Sequence, residues 1–530
     1  MINDRRDTEY MKELLIKDIQ FGKTDAYNEL QEYGKKMFRK SFLEYDKYEI
    51  NNFLQGKSYF ICGDKGTGKT ALLKYLECIL SDDHENLVIP IRFKTEFDDD
   101  DKKAFKVVST KNIKQEIIDN TDIGNYGDCV LLWQAYLINK ILCCSDDGEY
   151  SLFEESKELS DIKKLLKSVY TENKNRLMPH ITGGKAKVNA SLLKGIDAEL
   201  ELEIDFNQNN QDVDFTKLSK LVLNLFSKLN YDKNPVYVII DELELSVKSK
   251  EDNARDIILV RDLVIAVDRL NSICKKKYYD IHIMASIRNE VINSVESYGY
   301  EINKSIEDFG ININWYQKNG DYKESPLLKL IENKIIASEE KHGITNHTDL
   351  WQKYFPISIN NIEIRRYILR YTWFRPRDLI RMLKAVQTEA NDAYRITPEM
   401  FECAMQLYAE RSWNEIAEEL RLTYDDTDIK AIKKILTNIE VPFTFDYLVD
   451  KSNQLAKIYD YVDSFSTKYK LIDVLEKLFD WGVIGNSGQQ MVFKFLGYLD
   501  FSPTEKMIIH TPLRSFFGVK SRENLKLDIY

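Results

Sequence analysis

Eight residues, Gly63-Asp64-Lys65-Gly66-Thr67-Gly68-Lys69-Thr70, constrain this chain more than any other stretch. The apolar run Tyr59-Phe60-Ile61-Cys62 precedes them, and Ala71-Leu72-Leu73-Lys74-Tyr75-Leu76 follows with helical spacing. A strand, a G-x-x-x-x-G-K-[ST] loop and a helix, in that order, are the pattern of a phosphate-binding loop, or P-loop. Glycines let the backbone curl around an anion, so that freed N–H groups and the helix N-terminus face it. The expected nucleotide-binding residues are Gly63, Asp64, Lys65, Gly66, Thr67, Gly68, Lys69, Thr70 and Ala71. Lys69 brings positive charge to the β/γ-phosphates of ATP, and the Thr70 hydroxyl is a candidate ligand of Mg2+.

A second motif completes the pattern. Pro235-Val236-Tyr237-Val238-Ile239-Ile240-Asp241-Glu242 is an apolar strand that ends in two carboxylates. Continuous apolar runs of this kind suit a buried parallel strand. Asp241 at its C-terminal end is expected to bind the Mg2+ hydration shell. Glu242 is expected to orient and deprotonate an attacking water, a role that hydrolysis requires and binding alone does not. A third strand, Asp280-Ile281-His282-Ile283-Met284-Ala285-Ser286-Ile287-Arg288, ends in polar groups. In a parallel sheet Ser286 and Arg288 would lie beside the γ-phosphate, where developing charge favours a hydroxyl or guanidinium. About 170 residues separate Lys69 from Asp241, whereas a βαβ unit needs about 30. The intervening segment, about 98–214, therefore reads as insertions.

The insertions have recognisable parts. Asp98-Asp99-Asp100-Asp101 marks a solvated loop, and helical patterns occupy Val130–Leu142 and Ser156–Tyr170. From Lys187 to Phe206 apolar and polar residues alternate around Lys194-Gly195, which predicts a β-hairpin with one wet face. A helix is expected over Arg255–Asn271, and Lys275-Lys276-Lys277 reads as a solvated loop. Residues 1–50 form an N-terminal helical segment, 51–310 the α/β core, 311–425 a helical lid and 426–530 a further domain. The last contains helices, including Leu471–Trp481 stopped by Gly482 and Gly485. Strands at Gln490–Phe495 and Lys506–His510 then give a winged-helix-like pattern.

Composition limits the function classes. Hydrophobic residues make up 43% and aromatic residues 12%, enough for sizeable cores. The net charge of −11 leaves nucleic-acid binding to a local basic patch, and none stands out. The helix Leu471–Trp481 carries Lys477 against Asp473, Glu476 and Asp480, which argues against phosphate contact. Seven scattered cysteines without a C-x-x-C pair suit reduced thiols and a cytoplasmic location. Met1–Arg6 has no apolar run behind it, and no 18-residue apolar stretch occurs, so neither a secretion signal nor a membrane span is expected. Six histidines lack metal-ligand spacing, so no metal beyond nucleotide-bound Mg2+ is indicated.

The order P-loop, Asp241-Glu242 and Ser286-x-Arg288 resembles the AAA+/STAND branch of P-loop ATPases, including origin-recognition initiators. More narrowly, Phe21-Gly22-Lys23-Thr24-Asp25-Ala26, the long insertion and Arg375-Pro376-Arg377-Asp378-Leu379-Ile380 resemble a prokaryotic P-loop ATPase family often encoded beside anti-phage defence genes. The resemblance covers roughly residues 15–390 and implies that Arg288 sits at the sensor-1 position. It places Arg377, or Arg375, at the sensor-2 position of the lid. The long insertion before Asp241 departs from a minimal P-loop core, so no particular partner or oligomer is carried over from the resemblance. Three functions are therefore expected in turn. The first is a regulatory ATPase that changes shape or assembles as a homo-oligomer and passes its output to a separate effector protein. The second is a DNA-binding initiator or repair ATPase, and the third a nucleotide-gated scaffold with little turnover.

Overall fold

In the computed structural model the described residues are 13–96, 127–147, 150–170, 181–182, 185–187, 212–243, 250–297, 302–318, 320–421, 423–488, 491–498 and 500–521. The acidic run Asp98–Asp101 and nearly all of the hairpin expected over 187–206 lie outside them. The chain divides into two units. The first holds residues 1–45, Gly66–Gly68 and 314–530, and the second holds 46–65 and 69–313.

The first unit opens with helix α1 (Ala26–Ser41). Its N-cap is Asp25, whose carboxylate accepts hydrogen bonds from the Tyr27 and Asn28 amides and so satisfies two orphan donors of the first turn.

The second unit is built on a five-stranded parallel sheet. Its strands are β1 (Phe60–Gly63), β2 (Leu87–Arg92), β3 (Val236–Leu243), β4 (Ile281–Arg288) and β5 (Gly310–Asn312), in the spatial order β2-β3-β4-β1-β5. Hydrophobic patterning explains the order. β3 and β4 are buried along almost their whole length, as central parallel strands must be. β2 alternates buried and exposed positions and carries Pro90, as an edge strand can. Helix α2 (Lys69–Leu80) follows the glycine-rich loop. The helices α3 (Gly127–Asp147), α4 (Lys157–Val169), α5 (Phe215–Phe226) and α6 (Lys250–Lys277) share one core with the sheet. The Trp133 indole, inside that core, donates to the Leu259 carbonyl at 3.1 Å. α6 is longer than its apolar pattern indicates. Lys275, Lys276 and Lys277 form its last turn rather than a loop, where three cations favour the negative end of the helix dipole. Helix α7 (Asn289–Ser297) follows β4 directly.

The remainder of the first unit is mainly helical: α8 (Pro326–Lys341), α9 (Ile364–Arg370), α10 (Pro376–Glu389) and α11 (Pro398–Leu420). Pro376 takes the first helical position of α10, where its missing N–H costs nothing. After further helices at Asp426–Leu436, Phe445–Ala456, Asp460–Lys468 and Leu471–Asp480 comes a three-stranded antiparallel sheet of Ile484–Ser487 between Met491–Val492 and Met507–Ile509. Gly485 lies in the first of these strands, so Gly482 alone ends the preceding helix, with φ +64°. Among the described residues no helix is long and apolar enough to cross a membrane.

A buried ion pair ties α1 to α8. Lys334 Nζ lies 2.6 Å from Glu29 Oε1, and Glu29 Oε2 accepts the Lys23 amide at 2.8 Å. Removing one partner of such a pair costs about 3–5 kcal/mol because the other charge stays buried. Lys334→Met should therefore lower unfolding stability by about that amount in denaturant titration, and Glu29→Gln/Lys334→Met should recover much of the loss.

Candidate functional site

The parallel register places the polar ends of four strands along one edge of the second unit's sheet. Gly63 pairs with Arg288 across β1 and β4, and Arg92 pairs with Asp241 across β2 and β3. Parallel sheets bind ligands at this carboxyl edge because the strand ends and following loops converge there. The glycine-rich loop leaves β1 at that edge, and α2 starts at Lys69.

Lys69 is buried, and its ammonium donates to the carbonyls of Gly63 at 2.7 Å and Asp64 at 2.8 Å. Burial pushes its pKa down to about 8, and the Arg288 guanidinium acts in the same direction. The carboxylates of Glu290, Asp241 and Asp64 oppose the shift. Lys69, Arg288, Asp241 and Asp64 thus share one electrostatic environment, although they come from a loop and two strands far apart in the chain.

Asp241 is 3% exposed. Its Oδ1 accepts the Ser286 hydroxyl at 2.5 Å, which fixes the carboxylate, while Oδ2 is buried and has no hydrogen-bond partner among the described residues. An ionised oxygen in that position is costly unless a donor or cation meets it. The donor set suits a hard divalent cation, which takes oxygen ligands and shares its coordination with phosphates. No group of three or more His, Cys, Asp or Glu side chains is arranged as a self-contained metal site among the described residues.

Glu242 adopts φ +63°, an unfavourable backbone conformation for a residue with a Cβ. The β3–β4 register is irregular between Ile240 and Leu243, so the regular strand pairing is interrupted at this position. Glu242 Oε1 pairs with Arg92 Nη2 at 2.6 Å, and Oε2 is buried without a hydrogen-bond partner among the described residues. Conformational strain of about 1–3 kcal/mol persists where surrounding structure imposes it, often at functional positions.

Three groups at this edge escape sequence inspection. Arg92 closes the apolar run Leu87–Arg92, and its role depends on a partner 150 residues away. Asn289 Nδ2 donates to Asp64 Oδ1 at 2.6 Å and so links the start of α7 to the loop. Glu290 is largely buried, which raises its carboxyl pKa; Asp64 pushes the same way, while Arg288 and Lys69 oppose the rise.

Arg375 and Arg377, the arginines expected in the lid, lie in the first unit. Arg375 makes a two-point pair with Asp378, at 2.7 and 3.2 Å. Arg377 Nη1 meets Glu415 Oε1 at 3.0 Å, and Arg381 binds the other oxygen of Glu415. The Arg377 amide donates to the Gly66 carbonyl at 3.3 Å, and the Trp315 indole donates to the Thr67 carbonyl at 2.9 Å. Of the two arginines, Arg375 is the more firmly held by a buried carboxylate. Lys65, Thr70 and Ala71 lie on the loop and first turn of α2, as their sequence positions require.

Residues 325–417 match the model of a family described as FunZ-associated C-terminal helical domain. The match includes α8, α9, α10 and most of α11, and it contains Arg375, Arg377 and Glu415. No curated protein matches the chain.

Proposed function

We propose that the chain is a Mg2+-dependent ATPase of the AAA+/STAND type. In this reading its nucleotide state controls shape or assembly in a prokaryotic anti-phage defence system, with a separate effector protein in the cytoplasm. The observation that carries the enzymatic reading is the convergence of Lys69, Asp241, Ser286 and Arg288 at one edge of a parallel sheet. Each chemical requirement has a residue. Lys69 and Arg288 meet the charge of the terminal phosphates. Mg2+ held by Asp241 and Thr70 would neutralise charge on the β- and γ-phosphate oxygens. Ser286 keeps Asp241 oriented. Arg92 holds one oxygen of Glu242 and leaves Oε2 as the proton acceptor.

These positions support the following reaction. Glu242 Oε2 takes a proton from water as the water oxygen bonds to the γ-phosphorus. The bond from that phosphorus to the β–γ bridging oxygen breaks, and ADP and inorganic phosphate are the products. The regulatory and defence part of the reading rests on the FunZ-associated match and on the family resemblance in the sequence. The segment 426–530, with its helices and small antiparallel sheet, is read as a winged-helix-like module for protein contact. Its helix Leu471–Asp480 carries a single lysine, Lys477, which lies 3.6 Å from Asp480 and is poorly placed to bind DNA phosphates.

The direct test is phosphate release from ATP by the purified chain, with Mg2+ and with EDTA, together with its mass in solution with and without ATP. Release that EDTA stops supports the enzymatic reading. Absence of binding to any nucleoside triphosphate in the presence of Mg2+ overturns it. A pH profile adds a second check. Lys69 holds its proton below about pH 8 and loses it above. An anionic phosphate favours the protonated form, so affinity should be flat from about pH 6.5 to 7.5 and fall about tenfold per unit well above pH 8. Titration calorimetry reads this directly; constant affinity to pH 9.5 removes Lys69 from the phosphate site.

A further inference from the structure

We propose that Trp315 is a positioning residue for phosphate binding, acting through the Thr67 carbonyl to aim the Gly68 N–H at the anion. This rests on the nucleotide reading given above and adds to it a residue that lies far outside the glycine-rich motif.

A trans peptide is planar, with its C=O and N–H pointing in opposite directions. Fixing one group therefore fixes the other. The Trp315 indole N–H holds the Thr67 carbonyl at 2.9 Å, so the Gly68 N–H must point away from the indole. The Arg377 amide holds the Gly66 carbonyl at 3.3 Å, so the Thr67 N–H is turned away from Arg377 in the same manner. Gly66 and Gly68 have φ +88° and +96° on either side of Thr67. Such alternation of backbone hand brings successive N–H groups into a concave anion-binding nest. The two outer hydrogen bonds hold carbonyls that would otherwise be free to rotate towards an incoming anion and repel it.

The indole is itself held. Trp315 is 2% exposed, and the Tyr45 ring stacks on it with centroids 5.6 Å apart and planes 20° apart. Gln317 Nε2 donates to the Tyr45 hydroxyl at 3.3 Å. The donor is thus pre-set before any ligand arrives, which lowers the ordering cost of binding. Packing alone does not explain the arrangement, because a phenyl ring would stack on Tyr45 without meeting the Thr67 carbonyl.

The test is Trp315→Phe in the full chain, which keeps an aromatic ring and removes the donor. Losing one buried hydrogen bond that orders the loop should raise the Kd for both ATP and inorganic pyrophosphate about 5–20-fold. At saturating ATP, kcat should stay within about twofold, because the interaction is made equally in the ground and transition states. Hydrogen exchange of the loop peptide spanning residues 64–70 should quicken in the ligand-free variant. Wild-type affinity for both ligands in Trp315→Phe overturns the proposal, whatever happens to the melting temperature. Equal exchange rates in the loop peptide overturn it too, and that measurement needs no ligand. If wild type binds ATP and Lys69→Ala does not, the nucleotide reading stands even when the Trp315 proposal fails.

Discussion

Lys69→Ala is expected to abolish measurable nucleotide binding, and with it all turnover. The ammonium is buried and hydrogen-bonded to the Gly63 and Asp64 carbonyls. It is also the central cation among Asp64, Asp241 and Glu290. Alanine removes the positive charge and leaves those three acids facing an incoming triphosphate. Removing one partner from a buried charge pair typically costs about 3–5 kcal/mol, or about 10²–10⁴-fold in affinity. The loop also loses the donor that meets the Gly63 and Asp64 carbonyls, so its geometry loosens as well. Lys69→Arg separates the two effects, because it keeps the charge but replaces a compact ammonium with a planar fork that does not fit the same two carbonyls. Arginine is expected to retain weak binding, whereas alanine retains none. Calorimetry with ATP and Mg2+ measures both variants. Wild-type affinity in Lys69→Ala would mean that the loop binds no phosphate, and the proposed ATPase would have to be given up.

Some of this site is legible in the chain and some is not, for reasons that can be named. The strands β1, β3 and β4 are short apolar runs bounded by glycine or acids, and burial on both faces makes such runs stand out. Asp241, Ser286 and Arg288 could be placed because they end those runs. Arg92 could not, since its importance comes from strand order: β2 lies beside β3, and Arg92 falls opposite Asp241 only in that register. Glu290 stands two residues past Arg288, yet no periodicity announces that its carboxyl is buried. Trp315 looks like the apolar start of a helical region, and only the folded chain shows where its single polar atom goes. The lysines at 275–277 mislead in the other direction. A run of like charges suggests a loop, but a helix C-terminus accepts it. Local patterns therefore reveal which element a residue occupies. Roles that depend on strand order, or on one atom of an amphipathic side chain, emerge only in three dimensions.

Glu242→Gln is expected to separate hydrolysis from binding. Glutamine has the shape of glutamate and can still accept from Arg92 through its amide oxygen, so the ion pair becomes a hydrogen bond and the φ +63° backbone need not move. What disappears is the proton acceptor at Oε2. General-base contributions of this kind are worth about 10²–10⁴-fold in rate. Phosphate release should fall by that factor while ATP affinity stays within about twofold of wild type. Asp241→Asn should behave differently, because it disturbs both the Ser286 hydrogen bond and the oxygen assigned to Mg2+, and is expected to weaken Mg2+-dependent binding itself. The pair of variants thus assigns separate roles to adjacent carboxylates, one in holding the nucleotide and one in consuming it. If ATP binding rather than its cleavage drives assembly, Glu242→Gln should accumulate the ATP-bound form, visible as a persistent shift of mass in solution when ATP is present. Normal phosphate release by Glu242→Gln would remove Glu242 as the base. Loss of ATP binding in the same variant would show that its carboxylate shapes the site rather than acts on water.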